Sequence, residues 1–487
     1  MKKYIFYLFA VIVILNTTDA LCRNIIIEDQ DNLTVVGPKV RVYGRQLQTD
    51  FDQDGIYDTF TIKGVGYSPV PIGRHVSDWG SNIFDDDGIL NRDFALLQAM
   101  KANTIRIWKG NDTEDYTGRN KSKITTKTLN AAEQYGIKVI AGFWVDTPAS
   151  GYCGSPYYPP SFLNPNDPNY LTDRNTIINN FGQYVQNFKD HPAILFWAIG
   201  NENNYSISSY YLINWYSLAN QMAQKAHEVE GANYHPVAVV NGEIATLGQS
   251  QYNTTDALSP NVDIWGANIY RGTTFGTLFS EYSAKSYKPL WISEYGADSW
   301  YTSQFALRSD HFEEGVAGYS DNETQSTIDI SLWDEIVKNR NIAIGGTVME
   351  YSDEWWKPYE WIDGGTHNST QEHFGFGKPD SNCNGVIDNG DGAPPPVPDG
   401  FFDEEWWGIM QISSNPIPFS PDVMSPRNIY YSYQTRFECK ESTPYYTGPD
   451  NGKSCDGTST CCDNPDSVSL GKACVTNCKN IKKILQY

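Results

Sequence analysis

Two segments that read as strands and end in a carboxylate constrain this chain more than any other feature. Ala193-Ile194-Leu195-Phe196-Trp197-Ala198-Ile199 is an apolar run of strand length that stops at Gly200-Asn201-Glu202, so an amide and a carboxylate are delivered where the strand ends. Pro289-Leu290-Trp291-Ile292-Ser293-Glu294-Tyr295-Gly296 repeats the pattern: an apolar strand, a carboxylate, then Gly to release the chain. Parallel α/β barrels keep their chemistry at the C-terminal ends of their strands. Two carboxylates placed there suit cleavage of a glycosidic bond, which needs one acid and one carboxylate on either side of it.

The rest of the chain supplies further strands and helices in alternation. Gly64 to Pro69 reads as a first strand with its exit loop, followed by a helix from Asn91 to Lys101 with Phe94, Leu97 and Met100 on one face. Asn103-Thr104-Ile105-Arg106-Ile107-Trp108 reads as strand two. A helix from Thr126 to Tyr135, closed by Gly136, leads to strand three at Lys138 to Trp144. Ile177, Phe181, Tyr184, Val185 and Phe188 form the apolar stripe of a helix over Asp173 to Asp190, which His191-Pro192 ends before strand four. A helix from Tyr210 to Val229 precedes strand five at Pro236 to Val240, strand six at Val262 to Tyr270, strand seven at Pro289 to Glu294 and strand eight at Gly345 to Tyr351.

Gly200-Asn201-Glu202 on the fourth strand and Ser293-Glu294-Tyr295-Gly296 on the seventh resemble the signatures of clan A retaining glycoside hydrolases, whose TIM barrels carry acid/base and nucleophile on those two strands. The resemblance spans roughly residues 60 to 435. It implies an α/β fold, a (β/α)8 TIM barrel with long loops, with Glu202 as acid/base and Glu294 as nucleophile. It also implies that Arg106, in its Asn-x-Ile-Arg setting, keeps the nucleophile ionised, that Asn201 binds a sugar 2-hydroxyl, and that Tyr270 contacts the nucleophile. Within the clan, Asn103 to Arg106 and Ser293 to Gly296 look most like cell-wall β-1,3-glucanosyltransferases. Ala297 stands where their motif usually has Cys, Asn268-Ile269-Tyr270 replaces the His-x-Tyr of cellulase-like members, and Glu350-Tyr351 replaces the usual Trp of strand eight. The expected activity is therefore a retaining β-glycoside hydrolase or transglycosylase with β-1,3-glucan favoured. β-Mannanase and β-galactosidase are the enzymatic alternatives, and a glycan-binding barrel or a structural wall glycoprotein the others.

Composition sets the surroundings of this barrel. Lys2-Lys3, the apolar stretch from Tyr4 to Leu15, and Asn16 to Ala20 have the layout of a signal peptide over residues 1–20. No later stretch reaches the roughly 18 apolar residues of a spanning helix. The net charge is −22, and removing Lys2, Lys3 and Asp19 takes off a net +1 and leaves −23. Such a chain repels phosphate backbones and anionic surfaces, so the expected partner is a neutral polysaccharide or oligosaccharide, with no nucleic acid and no membrane span. The 9 cysteines and the sequons at Asn32, Asn111, Asn120, Asn204, Asn253, Asn322 and Asn368 suit an exported glycoprotein, secreted, extracellular or cell-wall associated, and expected to be a monomer.

Three further features stand outside the barrel pattern. Residues 21–62 read as N-terminal strands, with a hairpin closing the barrel's base, ahead of a barrel at 63–435. Between the last of these strands, Asp50, Asp52 and Asp54 alternate ahead of Gly55, with Asp58 following, which is the spacing of a calcium loop; Asp380, Asn382, Asn384 and Asp388 repeat it. A structural calcium is the expected ion, and catalysis is expected to need no cofactor. The loop Ser352-Asp353-Glu354-Trp355-Trp356-Lys357 is crowded with acids and aromatics, making Trp355 a candidate for stacking on sugar rings, and Glu404 to Gly408 echoes it with Trp406 and Trp407. From 436 to 487 the chain carries Cys439, Cys455, Cys461, Cys462, Cys474 and Cys478, a small disulfide-stapled appendix whose pairing the sequence leaves open. Cys22, Cys153 and Cys383 stand apart from that group.

Overall fold

The computed structural model describes residues 37–72, 83–110, 123–147, 157–302, 318–354, 404–415, 417 and 420–438. A small antiparallel sheet comes first, β1 (Val40–Tyr43), β2 (Gln46–Thr49) and β3 (Asp58–Thr59). Then β4 (Ile62–Gly66), α1 (Asp87–Ala99), β5 (Thr104–Ile107), α2 (Thr126–Gln134), β6 (Lys138–Phe143), α3 (Tyr170–Phe188) and β7 (Ile194–Ile199) alternate. They are followed by α4 (Asn203–Ser206), α5 (Leu212–Glu230), β8 (Val237–Gly242), β9 (Ile264–Asn268), α6 (Leu278–Ser283) and β10 (Leu290–Tyr295). The chain continues through β11 (Trp300–Thr302), β12 (Gly318–Ser320), α7 (Asn322–Lys338), β13 (Ala343–Val348), β14 (Met410–Ser413), β15 (Val423–Pro426) and α8 (Asn428–Phe437).

Eight of these strands close into one parallel barrel in the order β4-β5-β6-β7-β8-β9-β10-β13, with β13 pairing back onto β4. The (β/α)8 expectation therefore holds, and β7 and β10 are its fourth and seventh strands. Strand residues alternate between two cores, as the period of two requires. Phe196 and Ala198 point inward with Ile62, Ile140, Val240, Ile264 and Trp291, whereas Trp197 and Ile199 face the helices. On that outer side Phe181 and Tyr184 of α3 meet Phe143, with ring centroids 5.1 and 5.7 Å away.

Local chemistry explains the helix boundaries. Asp86 caps α1 by accepting from the Gly88 and Ile89 amides, and Thr125 caps α2 in a reciprocal box with Thr128. Asn103 ties β4 to β5: its Oδ1 accepts from the Lys63 amide at 2.9 Å while its Nδ2 donates to the Thr61 carbonyl at 2.9 Å. The lead-in sheet plugs the barrel as expected, since Val40 and Leu47 are buried in the interior cluster. Its last strand is shorter than the sequence suggested. Ile62 belongs to the barrel, and the lead-in ends at Thr59. The closing helix α8 packs on α7, with Phe437 against Trp333 at 4.9 Å, so the barrel unit extends slightly beyond residue 435.

Candidate active site

Directly after β7 the backbone turns through two left-handed residues, Gly200 at φ 68° and Glu202 at φ 53°. A side chain at Gly200 would place its Cβ 2.1 Å from Asn203 Oδ1, so only glycine fits both the angle and the space. Asn203 holds the turn: its Oδ1 accepts from the Asn201 amide at 3.1 Å, and its Nδ2 donates to the Val145 carbonyl at 3.0 Å. The Glu202 amide donates to the Val240 carbonyl at 3.2 Å, which fixes the acid candidate against the next strand.

Glu294, near the end of β10 and 7% exposed, is held by three donors, two from β5 and its exit and one from the exit of β9. Arg106 Nη1 reaches its Oε1 at 2.8 Å, Trp108 Nε1 reaches the same oxygen at 2.6 Å, and the Tyr270 hydroxyl donates to Oε2 at 3.0 Å. Arg106 is buried, and that burial pulls its guanidinium below its ordinary value while the neighbouring Glu294 opposes the shift. An arginine starts so high that it remains a cation. Its other nitrogen, Nη2, donates to Asn201 Oδ1 at 2.7 Å, so one guanidinium spans the two strand ends.

Asn268, the last residue of β9, completes the connection. Its Nδ2 donates to Asn201 Oδ1 at 3.1 Å and to Glu202 Oε1 at 3.0 Å, while its Oδ1 accepts from Ser293 Oγ at 2.7 Å. Asn201 thus spends its carbonyl oxygen on two protein donors, and its NH2 is the group with which it could donate to a sugar hydroxyl. Aromatic side chains lie near the strand exits: Tyr205, three residues beyond Glu202, is 56% exposed, and the half-buried Trp144 follows β6.

Glu202, Glu294, Arg106, Asn201 and Tyr270 are thus all brought together. Trp108 and Asn268 were not singled out from the sequence as site residues. Trp108 lies two residues beyond Arg106, the spacing that returns a strand to the same face, and Asn268 two before Tyr270; that periodicity was the available signal. Trp355 lies outside the described residues. Trp406 and Trp407 are core, at 7% and 1% exposure, with Trp406 against Trp300 and Trp407 edge-on to Tyr270.

Of the proposed metal ligands, Asp50, Asp52 and Asp54 converge, with one carboxylate oxygen from each within 4.8 Å of the others. Asp58 is not part of that group; it is drawn into β3 opposite Thr49. Asp380, Asn382, Asn384 and Asp388 lie outside the described residues, as do all the cysteines. The sequon at Asn204 is corrected: its side chain is buried and bonded both ways to the Gly242 backbone, so a glycan has no access. No helix among the described residues is long and apolar enough to cross a membrane.

Similarity to known proteins covers the barrel region. Residues 74–314, just under half of the chain, match the family model described as glycosyl hydrolases family 2, TIM barrel domain, and both carboxylates lie within the match. The chain is 26% identical over 314 residues to the probable 1,3-beta-glucanosyltransferase GAS3 of Saccharomyces cerevisiae, covering 61% of this chain and 52% of that protein. It is 23% identical over 314 residues to the 1,3-beta-glucanosyltransferase GAS5 of the same yeast, covering 61% and 53%. The chain thus spans about half the length of the relatives it matches. Among solved structures it is similar to the beta-D-glucuronidase of Dictyoglomus thermophilum, with 16% identity, a TM-score of 0.46, and coverage of 83% of this chain and 54% of that one. The chain folds as a closed eight-stranded parallel barrel that is similar over residues 74–314 to the glycosyl hydrolases family 2 TIM barrel domain, with its candidate carboxylates on the fourth and seventh strands.

Proposed function

We propose that this protein is a secreted retaining β-glycoside hydrolase or transglycosylase acting on a β-glycan, with β-1,3-glucan favoured. One observation carries the reading: Glu294 accepts from Arg106, Trp108 and Tyr270, while Glu202, just beyond β7, accepts from the neutral amide of Asn268. That is an asymmetric pair: a guanidinium, an indole N–H and a phenol hydroxyl donate to Glu294, whereas a neutral amide donates to Glu202. The names of the two yeast relatives supply the linkage and the transfer reaction.

The chemistry follows from which oxygens are occupied. Glu294 Oε1 takes two donors and Oε2 takes one, so Oε2 keeps the lone pair that attacks the anomeric carbon. As that C–O bond forms, the bond to the leaving oxygen breaks, and a proton from Glu202 passes to that oxygen. Asn268 donates to Glu202 Oε1, which places the acid's proton on Oε2. In the second step Glu202 accepts a proton from water or from an acceptor sugar hydroxyl, whose oxygen displaces Glu294 and restores the original anomeric configuration.

A fluorinated glycoside trap tests the assignment. Label on Glu294, with product of retained configuration, is the expected outcome; label on any other residue, or an inverted product, overturns it. Glu202→Ala should still form the glycosyl-enzyme from substrates with very good leaving groups and then stall, because departure needs no acid but the second step needs a base. Incubation with β-1,3-gluco-oligosaccharides separates the outcomes: longer products mean transfer, and reducing ends without longer products mean hydrolysis.

A further inference from the structure

We infer that the loop between β2 and β3 is a calcium site that fastens the lead-in sheet to the base of the barrel. Three carboxylates, Asp50, Asp52 and Asp54, each bring one oxygen within 4.8 Å of the other two. Exposed acidic turns often do this without consequence, but Asp50 is only 3% exposed, and its Oδ1 has no hydrogen-bond partner. Its other oxygen, Oδ2, accepts from the Gly55 amide at 3.1 Å, so the buried carboxylate that joins Asp52 and Asp54 has only one of its two oxygens hydrogen-bonded. A buried carboxylate oxygen without a hydrogen-bond partner, beside two further carboxylates, is a position that a cation would satisfy.

The backbone is shaped for the same purpose. Gln53 and Gly55 both adopt positive φ, 58° and 85°, so the chain doubles back and turns the alternate side chains toward one point. Asp50, Asp52 and Asp54 occupy the first, third and fifth places of a calcium loop with Gly55 sixth, the Ile56 carbonyl falls at the seventh, and Asp58 at the ninth, where a ligand often acts through water. Thr61 stands at the twelfth place in place of the bidentate Glu. Carboxylate and carbonyl oxygens on an irregular loop favour calcium over magnesium, which demands near-ideal octahedral geometry. The missing Glu places the affinity near the weak extracellular class, about 10⁻⁴ M.

The loop touches the base of the barrel. The Asp50 amide donates to the Lys39 carbonyl at 2.8 Å, the Phe51 ring lies edge-on to Phe60, and the Lys138 ammonium at the start of β6 sits 3.8 Å over Phe51. Both the loop and the start of β6 are at the strand-beginning end, opposite the carboxylate pair. A bound ion should therefore stabilise the fold and leave turnover unchanged.

The test uses the full chain, stripped with chelator and then titrated with calcium chloride while melting temperature and bound calcium are measured. Wild type should melt about one to a few degrees higher at roughly 10–100 times an expected dissociation constant of about 10⁻⁴ M, and magnesium should shift it less. The double variant Asp52→Asn/Asp54→Asn, at two exposed positions, should lose the shift and bind one calcium fewer. Asp50→Asn should also lose the shift; if it fails to fold, the double variant alone decides. An unchanged wild-type melt overturns the proposal. So does a shift that the double variant keeps in full, because the ion then sits elsewhere in the chain.

Discussion

At the scale of single residues, the site depends on how few atoms hold Glu294. Arg106→Lys keeps the charge but loses the fork that reaches Glu294 and Asn201 together, so both strand ends lose their common partner. By the magnitude typical of removing one preorganised electrostatic group, kcat should fall about 10²- to 10³-fold, read in steady-state kinetics. Trp108→Phe removes a single donor from Glu294 Oε1 and keeps the ring's bulk. A hydrogen bond to a charged group is worth roughly 1.5–3 kcal/mol, so the loss should be about ten- to a hundredfold in kcat/KM. A Trp108→Phe enzyme with unaltered kinetics would show that the indole N–H takes no part in holding the nucleophile.

At the scale of elements, β4 illustrates how a strand residue serves the site without touching it. Gly66 leaves room for the Trp108 indole: a Cβ there would lie 2.4 Å from the ring. Gly66→Ala should cost roughly 1–3 kcal/mol of stability through overpacking and should also lower turnover by moving the donor to Glu294. The α1 cap provides the contrast. Asp86→Ala removes the acceptor for the Gly88 and Ile89 amides, at a cost of about 1 kcal/mol, and should leave kcat unchanged. Thermal melts and kinetics on both variants separate the two effects.

At the scale of the whole molecule, stability and pH are linked through Asp329. This residue of α7 is buried, and burial pushes its carboxyl well above the ordinary carboxylate value, only partly offset by the Ala297 amide. A folded carboxyl with a raised pKa keeps its proton where the unfolded chain, with a pKa of about 3.9, has lost it. Its contribution to stability is therefore full below that unfolded value and is lost as pH rises toward the folded one. Asp329→Asn, which cannot ionise, should melt higher than wild type at neutral pH, with the difference vanishing below about pH 4. A difference independent of pH would show that Asp329 is not protonated in the fold.

The strand-ending carboxylates were legible because they depend on local patterns: an apolar run, then a polar tip, then glycine. Ile194 to Ile199 and Leu290 to Tyr295 are buried along their whole length, so burial and periodicity coincide. Helix α7 was not legible, because Gln325, Ser326 and Asp329 are buried polar residues that interrupt its apolar stripe. Trp406 and Trp407 read like cleft aromatics yet are core. Their segment runs beside the exit of β13, with the Ile409 amide on the Glu350 carbonyl at 2.8 Å and the buried Arg427–Asp353 pair anchoring it. The sequence by itself determined the eight barrel strands and the helices α1, α2, α3 and α5, and that two of those strands end in carboxylates. The resemblance already implied that Arg106 meets Glu294, 188 residues away, but only the tertiary structure decided that Trp108 and Asn268 join them. Periodicity along a chain says which face a residue takes, whereas its partners depend on how the barrel closes.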